Sequence, residues 1–339
     1  MRFAAAPGPG VASGQATPRY RARRRGAARA QRGAALLMAM IIVTLVVTLA
    51  AGMVWQQWRA VQVEAAERAR VQSAWILSGA LDWARLILRE DARTSSVDHL
   101  GEPWAVPLAE ARLSTFLAAD KDNTDDAPDA FLSGQIVDEQ SRYNLRNLID
   151  SNKVVPEELA ALDRLCRAIG VAPDVANRIA DGLLAALAPA GPAGSNSSAP
   201  LLPRDVSQLG WLGVGSEALR RLEPYITLLP ETTLVNANTA SREVLVATLK
   251  GLDLASAERL LQARQRSHFK NTAEVYAQIP GITPAPTPPF GVASKFFEIR
   301  GRLRLGDRVL EQRSLAERSG TGVRLLQRSQ VASRDSTSP

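Results

Sequence analysis

Side chains able to do covalent or metal chemistry are scarce in this chain. Its 339 residues include two histidines, His99 and His268, and one cysteine, Cys166. No G-x-S-x-G elbow, phosphate-cradling P-loop or clustered set of metal ligands occurs, so nothing assembles an acid, a base and a nucleophile. Cys166 lies in the helical pattern of residues 162–169 and reads as a buried structural thiol. The acidic run is Asp120-Lys121-Asp122-Asn123-Thr124-Asp125-Asp126-Ala127-Pro128-Asp129. An EF-hand loop opening at Asp120 needs Gly at 125 and Glu at 131, and the chain has Asp125 and Phe131 there. The run reads instead as part of an exposed loop over residues 91–130.

Charge is distributed unevenly. The net charge is +7, yet the first 33 residues hold eight arginines and no Asp, Glu or Lys. Removing those eight leaves −1 for residues 34–339, so the basic character belongs to a leader and not to a nucleic-acid-binding body. Residues 34–54 form 21 positions without a charge, enough to cross a bilayer as a helix. The arginines precede this span, which places 1–33 in the cytoplasm and the remainder across the membrane. Trp55 and Trp58 fall where aromatic anchors meet headgroups.

The join is Gln31-Arg32-Gly33 followed at once by Ala34-Ala35-Leu36-Leu37. A secretory signal has a shorter apolar region, and a plain signal anchor leaves the flank unexplained. A basic segment ending in Gly before an apolar helix resembles a prepilin leader, which implies cleavage between Gly33 and Ala34 and N-methylation of Ala34; a simple anchor is the alternative. The leader is long for that class, which allows a start codon downstream of Met1, although no second methionine precedes Met38. Beyond the span, positions 54, 58, 61, 65, 69, 73, 76, 80, 83 and 87 step by three or four and are mostly apolar. As one helix, residues 34–90 would run roughly 85 Å at about 1.5 Å per residue.

Several motifs then occur together. They are Ser73-Ala74-Trp75-Ile76-Leu77-Ser78-Gly79-Ala80, Gly134-Gln135-Ile136-Val137-Asp138 with Tyr143-Asn144-Leu145-Arg146-Asn147-Leu148, Leu228-Leu229-Pro230-Glu231-Thr232-Thr233, and Val235-Asn236-Ala237-Asn238-Thr239-Ala240. In combination over most of residues 31–305 the chain resembles the type II secretion minor pseudopilin of the K type (general secretion pathway protein K). Most pilins carry Glu as the fifth mature residue, thought to neutralise the terminal amine of a neighbour. Counting from Ala34, the fifth residue here is Met38. A carboxylate in the bilayer core costs about 2.5–3.5 kcal/mol and is kept only where it has a partner. A subunit at a filament tip has no amine above it, and lack of this Glu is also what the K-type family shows.

The remaining sequence suggests short helices over 156–169, 173–187, 203–209, 216–222, 241–249 and 256–266, several opened by Pro or Ser. Residues 188–200 read as a flexible insertion in place of the family's acidic D-W-x-D-x-D segment, of which only Asp181 remains. Strand alternation falls at 135–138, at 225–229 and in a hairpin over 295–315 about Gly306-Asp307, with an edge strand over 323–331. The expected fold is α+β and pilin-like: a long N-terminal spine helix (34–90) on a small antiparallel sheet (91–144 and 290–335), with a mostly α-helical domain (145–289) inserted.

Residues 236–282 also resemble a helix-hairpin-helix module of competence DNA receptors, with Lys250, Gly251, Arg264 and Lys270 as DNA-binding candidates. Such hairpins take phosphate on backbone N–H groups at a Gly-apolar-Gly turn. Here the turn is Gly251-Leu252-Asp253, which sets a carboxylate where phosphate would approach, and Pro284 to Pro289 stop a second hairpin.

The resemblance implies a structural, non-enzymatic minor pseudopilin of type II secretion at the pseudopilus tip. The alternative is a minor pilin of a type IV pilus or DNA-uptake filament. It further implies the I- and J-type minor pseudopilins, the major pseudopilin and prepilin peptidase as partners, inner-membrane anchoring with a periplasmic body, no nucleic acid, and calcium as a cofactor through the family alone.

Overall fold

The computed structural model describes residues 30–113, 130–187, 200–306 and 308–334. The leader up to residue 29, the acidic run at 120–129 and the insertion at 188–199 lie outside the described residues. Helix α1, Ala30–Thr94, is continuous because no proline occurs between Pro18 and Pro103. The chain divides into two compact units between Ala69 and Arg70.

In the first unit the large apolar side chains from Leu36 to Val63 are all exposed. The hydroxyls of Thr44 and Thr48 donate back to helix carbonyls at 2.8–2.9 Å, so even these polar groups present no unmet donor to lipid. This helix is long and apolar enough to cross a membrane.

In the second unit α1 buries Leu77, Leu81, Ala84 and Leu88 on a five-stranded sheet. Each leucine removed from water contributes about 1.5–3 kcal/mol. The strands are β1 (Leu108–Arg112), β2 (Ala130–Asp138), β3 (Phe296–Leu305), β4 (Arg308–Ser319) and β5 (Gly322–Arg334). They run in sequence order across the sheet, every pair antiparallel. Gly134 pairs with Gly301 across β2 and β3, and a Cβ at Gly301 would stand 3.2 Å from Leu77 Cδ2, so the glycine lets the helix close on the sheet.

This differs from the expected helix face by about one residue. Ile76, Ala80 and Ile87 are half-buried at the edge of the contact, and Trp83 is 51 % exposed. A leucine, Leu77, fits the close approach over Gly301, whereas an indole there would hold the helix away. The region 91–130 is also less of a loop than its composition suggests. It contains β1 and a 3-10 turn, Pro103–Ala105, whose buried Trp104 packs edge-on against Phe297 at 5.3 Å.

The chain leaves the sheet after Asp138 and returns at Phe296; Asp138 and Phe297 are paired neighbours, so the excursion begins and ends at one place. Between them lie α2 (Pro156–Ala168), α3 (Asp174–Leu187), α4 (Ser216–Leu222), α5 (Arg242–Thr248), α6 (Leu254–Arg266) and α7 (Thr272–Ala277). Caps fix their starts: Ser241, Asp253 and Asn271 side chains accept from the N–H groups of Val244, Ser256 and Glu274. The expected helix at 203–209 is a 3-10 segment, Val206–Leu212, ended by Gly213 at φ 78°. The expected strand at 225–229 shrinks to Ile226–Thr227, pairing in parallel with Tyr143–Asn144. It stops there because the Asn144 side chain takes the Leu229 N–H at 3.1 Å. The helices share their own apolar core, with Leu145, Leu162, Leu165, Ile179, Val244 and Leu260 among its buried members. Cys166 lies in it as a buried free thiol pushed up to about 11 by burial.

Candidate functional site at the joint between sheet and inserted helices

The core of the inserted helices and the two cores under α1 share no buried residue. What joins them around Asp138 is polar. Asp138 ends β2 and is buried; its Oδ1 accepts the Gln140 N–H at 2.8 Å. Its Oδ2 accepts the hydroxyls of Thr239 at 2.5 Å and Ser294 at 2.7 Å and the Asn236 amide at 3.0 Å. Burial pushes this carboxyl up to about 6 against the pull of those donors. Asn236 also donates to the Asp98 carbonyl at 3.1 Å, which ties the loop after α1 to the same point. Gln140 completes the crossing, donating to the Leu234 carbonyl at 2.9 Å and accepting from the Lys295 N–H at 2.6 Å.

The other asparagines shape backbone. Asn238 donates to the Phe269 carbonyl at 2.9 Å and accepts its N–H at 2.8 Å, holding the connection between α6 and α7. Asn147 makes the same two-bond pair with Thr233, at 2.8 and 3.0 Å. Asn144 donates to the Glu231 carbonyl at 2.8 Å and to Thr233 Oγ1 at 3.0 Å. The motif residues read separately in the sequence are thus brought into one set of side-chain-to-backbone bonds, each needing an amide of that length at that position.

Beside this network lies a charged cluster that sequence reasoning missed. Arg318 of β4 donates through Nη1 to Asp91 at 2.6 Å and through Nη2 to both oxygens of Asp98 at 2.5–2.6 Å. Nη2 also reaches the Ser294 carbonyl at 2.9 Å, and the guanidinium sits 4.7 Å over the Phe297 ring. Burial raises the Asp91 carboxyl to about 6, helped by the Glu102 charge and opposed by Arg318; burial raises Asp98 as well. Arg318 and Asp98 are 220 positions apart, so no local pattern announces the pair. His99 and His268 also meet, ring on ring at 3.8 Å, and burial lowers the pKa of His99.

Among the described residues, the group with the composition and spacing to hold a metal is Asp91, Asp98 and Glu102. It does not fit a resident calcium ion, because Arg318 already takes its charge and Glu102 Oε2 accepts from the His99 N–H and the Trp104 indole at 2.7–2.9 Å. Asp181 stands exposed on α3.

The DNA candidates are arranged for other purposes. Gly251 has φ 86° and turns the chain between α5 and α6, and the N-terminus of α6 is occupied by the Asp253 carboxylate at 2.6 Å from the Ser256 N–H. Arg264 points inward, donating to the carbonyls of Ala237 at 2.8 Å and Ala240 at 2.6 Å, and burial pushes its pKa down to about 10. Lys250 and Lys270 are exposed. Gly33, Ala34 and Met38 lie exposed near the start of α1, with nothing within 4 Å of a Cβ added at Gly33.

Two family models described as type II secretion system (T2SS), protein K match residues 141–231 and 235–293. A type II secretion system protein K of Pseudomonas aeruginosa is 29% identical over 303 residues, covering 83% of this chain and 86% of the relative. That of Klebsiella pneumoniae is 29% identical over 332 residues, covering 88% of this chain and 96% of the relative. Both comparisons support a protein K of the type II secretion system as what this chain resembles. The fold agrees: a chain in the crystal structure of the GspK-GspI-GspJ complex from the enterotoxigenic Escherichia coli type 2 secretion system superposes with a TM-score of 0.61 at 19% identity, covering 79% of this chain and 99% of that one. Both stretches matched by the protein K models lie in the inserted helical part, including the Asn144 and Asn236 motifs.

Proposed function

We propose that this chain works as a minor pseudopilin at the tip of a type II secretion pseudopilus, in a structural role in protein export across the outer membrane. The observation that carries the reading is the combination in one chain. A spine helix whose apolar half is unburied by its own protein continues into an α1-on-sheet unit that bears a bulky helical insertion. The apolar half suits a bilayer before assembly and a bundle of neighbouring spines afterwards. Met38 in place of a fifth-residue carboxylate supports a position with no neighbour above.

In this reading prepilin peptidase cuts between Gly33 and Ala34, Ala34 is N-methylated, and residues 1–33 are cytoplasmic with the body in the periplasm. The GspK-GspI-GspJ complex of the structural relative supports I- and J-type minor pseudopilins as partners, with the major pseudopilin below. A DNA-uptake role is disfavoured by the Asp253 cap and by the inward Arg264. Co-expression of the full chain with I- and J-type minor pseudopilins, followed by detergent extraction and size exclusion, tests the proposal. One complex containing all three is expected. Separate elution together with salt-sensitive binding to duplex DNA would contradict it.

A further inference from the structure

Three carboxylates meeting below the end of α1 are an unusual thing to bury. The candidate ligand oxygens of Asp91, Asp98 and Glu102 lie within 4.8 Å of one another. Across a calcium ion with bonds of about 2.3–2.6 Å, opposite oxygens stand roughly 4.6–5.2 Å apart, so the carboxylates are spaced for a cation. A fourth oxygen, the Ser294 carbonyl, faces the same point at 2.9 Å from Arg318 Nη2. The guanidinium of Arg318, whose side chain is only 10% exposed, bonds two of the three carboxylates, Asp91 and Asp98.

We propose that Arg318 is the built-in cation of this joint: it draws Asp91, Asp98 and the Ser294 carbonyl together in the place a divalent ion would otherwise take, and so makes the seating of the inserted helices on the sheet independent of divalent cations. Arginine suits this position better than lysine. Its planar fork reaches Asp91 and Asp98 through different nitrogens while its face rests on Phe297. The oxygens it gathers come from three separated segments: the end of α1, the loop at 98 and the segment at 294 that leads into β3. Asp98 and Ser294 in turn hold Asn236 and Asp138, so the cation position is coupled to the network that seats the insertion.

The test uses the full-length protein in detergent, melted in EDTA and in about 5 mM CaCl2, a concentration that fills weak extracytoplasmic sites. In EDTA, Arg318→Ala is expected to lose roughly 10 °C in Tm, as removal of one partner of a buried pair does. Calcium is expected to restore at least half of that loss, and far more than any shift it gives the unsubstituted chain. Adding Asp98→Asn to Arg318→Ala should abolish the restoration. Arg318→Lys should gain less from calcium, because the ammonium still blocks the position. Two results would overturn the proposal: Arg318→Ala staying equally unstable or unfolded with and without calcium, or a calcium shift of the unsubstituted chain that Asp98→Asn removes. The first would mean the oxygens cannot take an ion, and the second that an ion already sits there beside the arginine.

Discussion

The sheet unit and the inserted helices solve the same problem by different means. Under α1 the sheet is held by interchangeable apolar contacts between Leu77, Leu81, Leu88, Phe297 and Ile299. The insertion has an apolar core too, but its loops and its seating depend on amides at set positions, chiefly Asn144, Asn147, Asn236 and Asn238. An apolar contact tolerates exchange among side chains of similar volume, whereas a buried amide that donates and accepts at once does not. Both stretches matched by the protein K models carry these amides.

The largest break in this comparison should come from Phe297→Ala, which opens a cavity under α1 at a fully buried position. We expect a loss of about 4 kcal/mol, read from urea unfolding of the whole chain. Asp138→Ala should cost about 3 kcal/mol, because it leaves the Thr239, Ser294 and Asn236 donors unmet in the interior. It should also differ in kind: the insertion and the sheet are expected to unfold in two separable steps, which a coincident transition by fluorescence and circular dichroism would refute.

A smaller effect follows from charge. Asp138 and Asp91 have folded-state values of about 6 against an ordinary 3.8. The folded chain therefore holds extra protons between those values, and the stability they contribute is full below about 3.8 and is lost as pH rises through about 6. His99 works in the opposite direction, since its lowered pKa costs stability as pH falls below its ordinary 6.5. Asp138→Asn isolates the carboxyl: melting at pH 5 and pH 7.5 should show the substituted chain losing less stability on going to the higher pH than the unsubstituted one. An unchanged pH dependence would mean that Asp138 does not take up a proton in this window. The smallest effect belongs to the hairpin surface. Lys250→Glu with Lys270→Glu should shift stability by no more than about 0.5 kcal/mol and leave assembly with other minor pseudopilins intact.

Much of the fold is legible in the sequence because its signals are local. Pro156 and Ser241 mark helix starts, the long proline-free stretch gives α1, and Gly306, at φ 59°, marks the turn between β3 and β4. The misses share a cause. Strand β1 is a five-residue edge whose alternation is masked by a polar neighbourhood. The phase of α1 is set by a glycine far along the chain, Gly301, over which Leu77 closes. Arg318 looks like one more surface arginine on a strand until the loop at 98 folds onto it. The asparagine motifs were visible as a pattern, but their task of bonding backbone across the insertion needed the structure.

Processing and assembly as a pseudopilin would leave their mark at the N-terminus, which the N-terminal mass of the protein purified from membranes reads. Production with and without prepilin peptidase should give a chain beginning at N-methylated Ala34 only when the peptidase is present. An intact leader in both cases, or a cut after the apolar span near residue 50, would contradict the account.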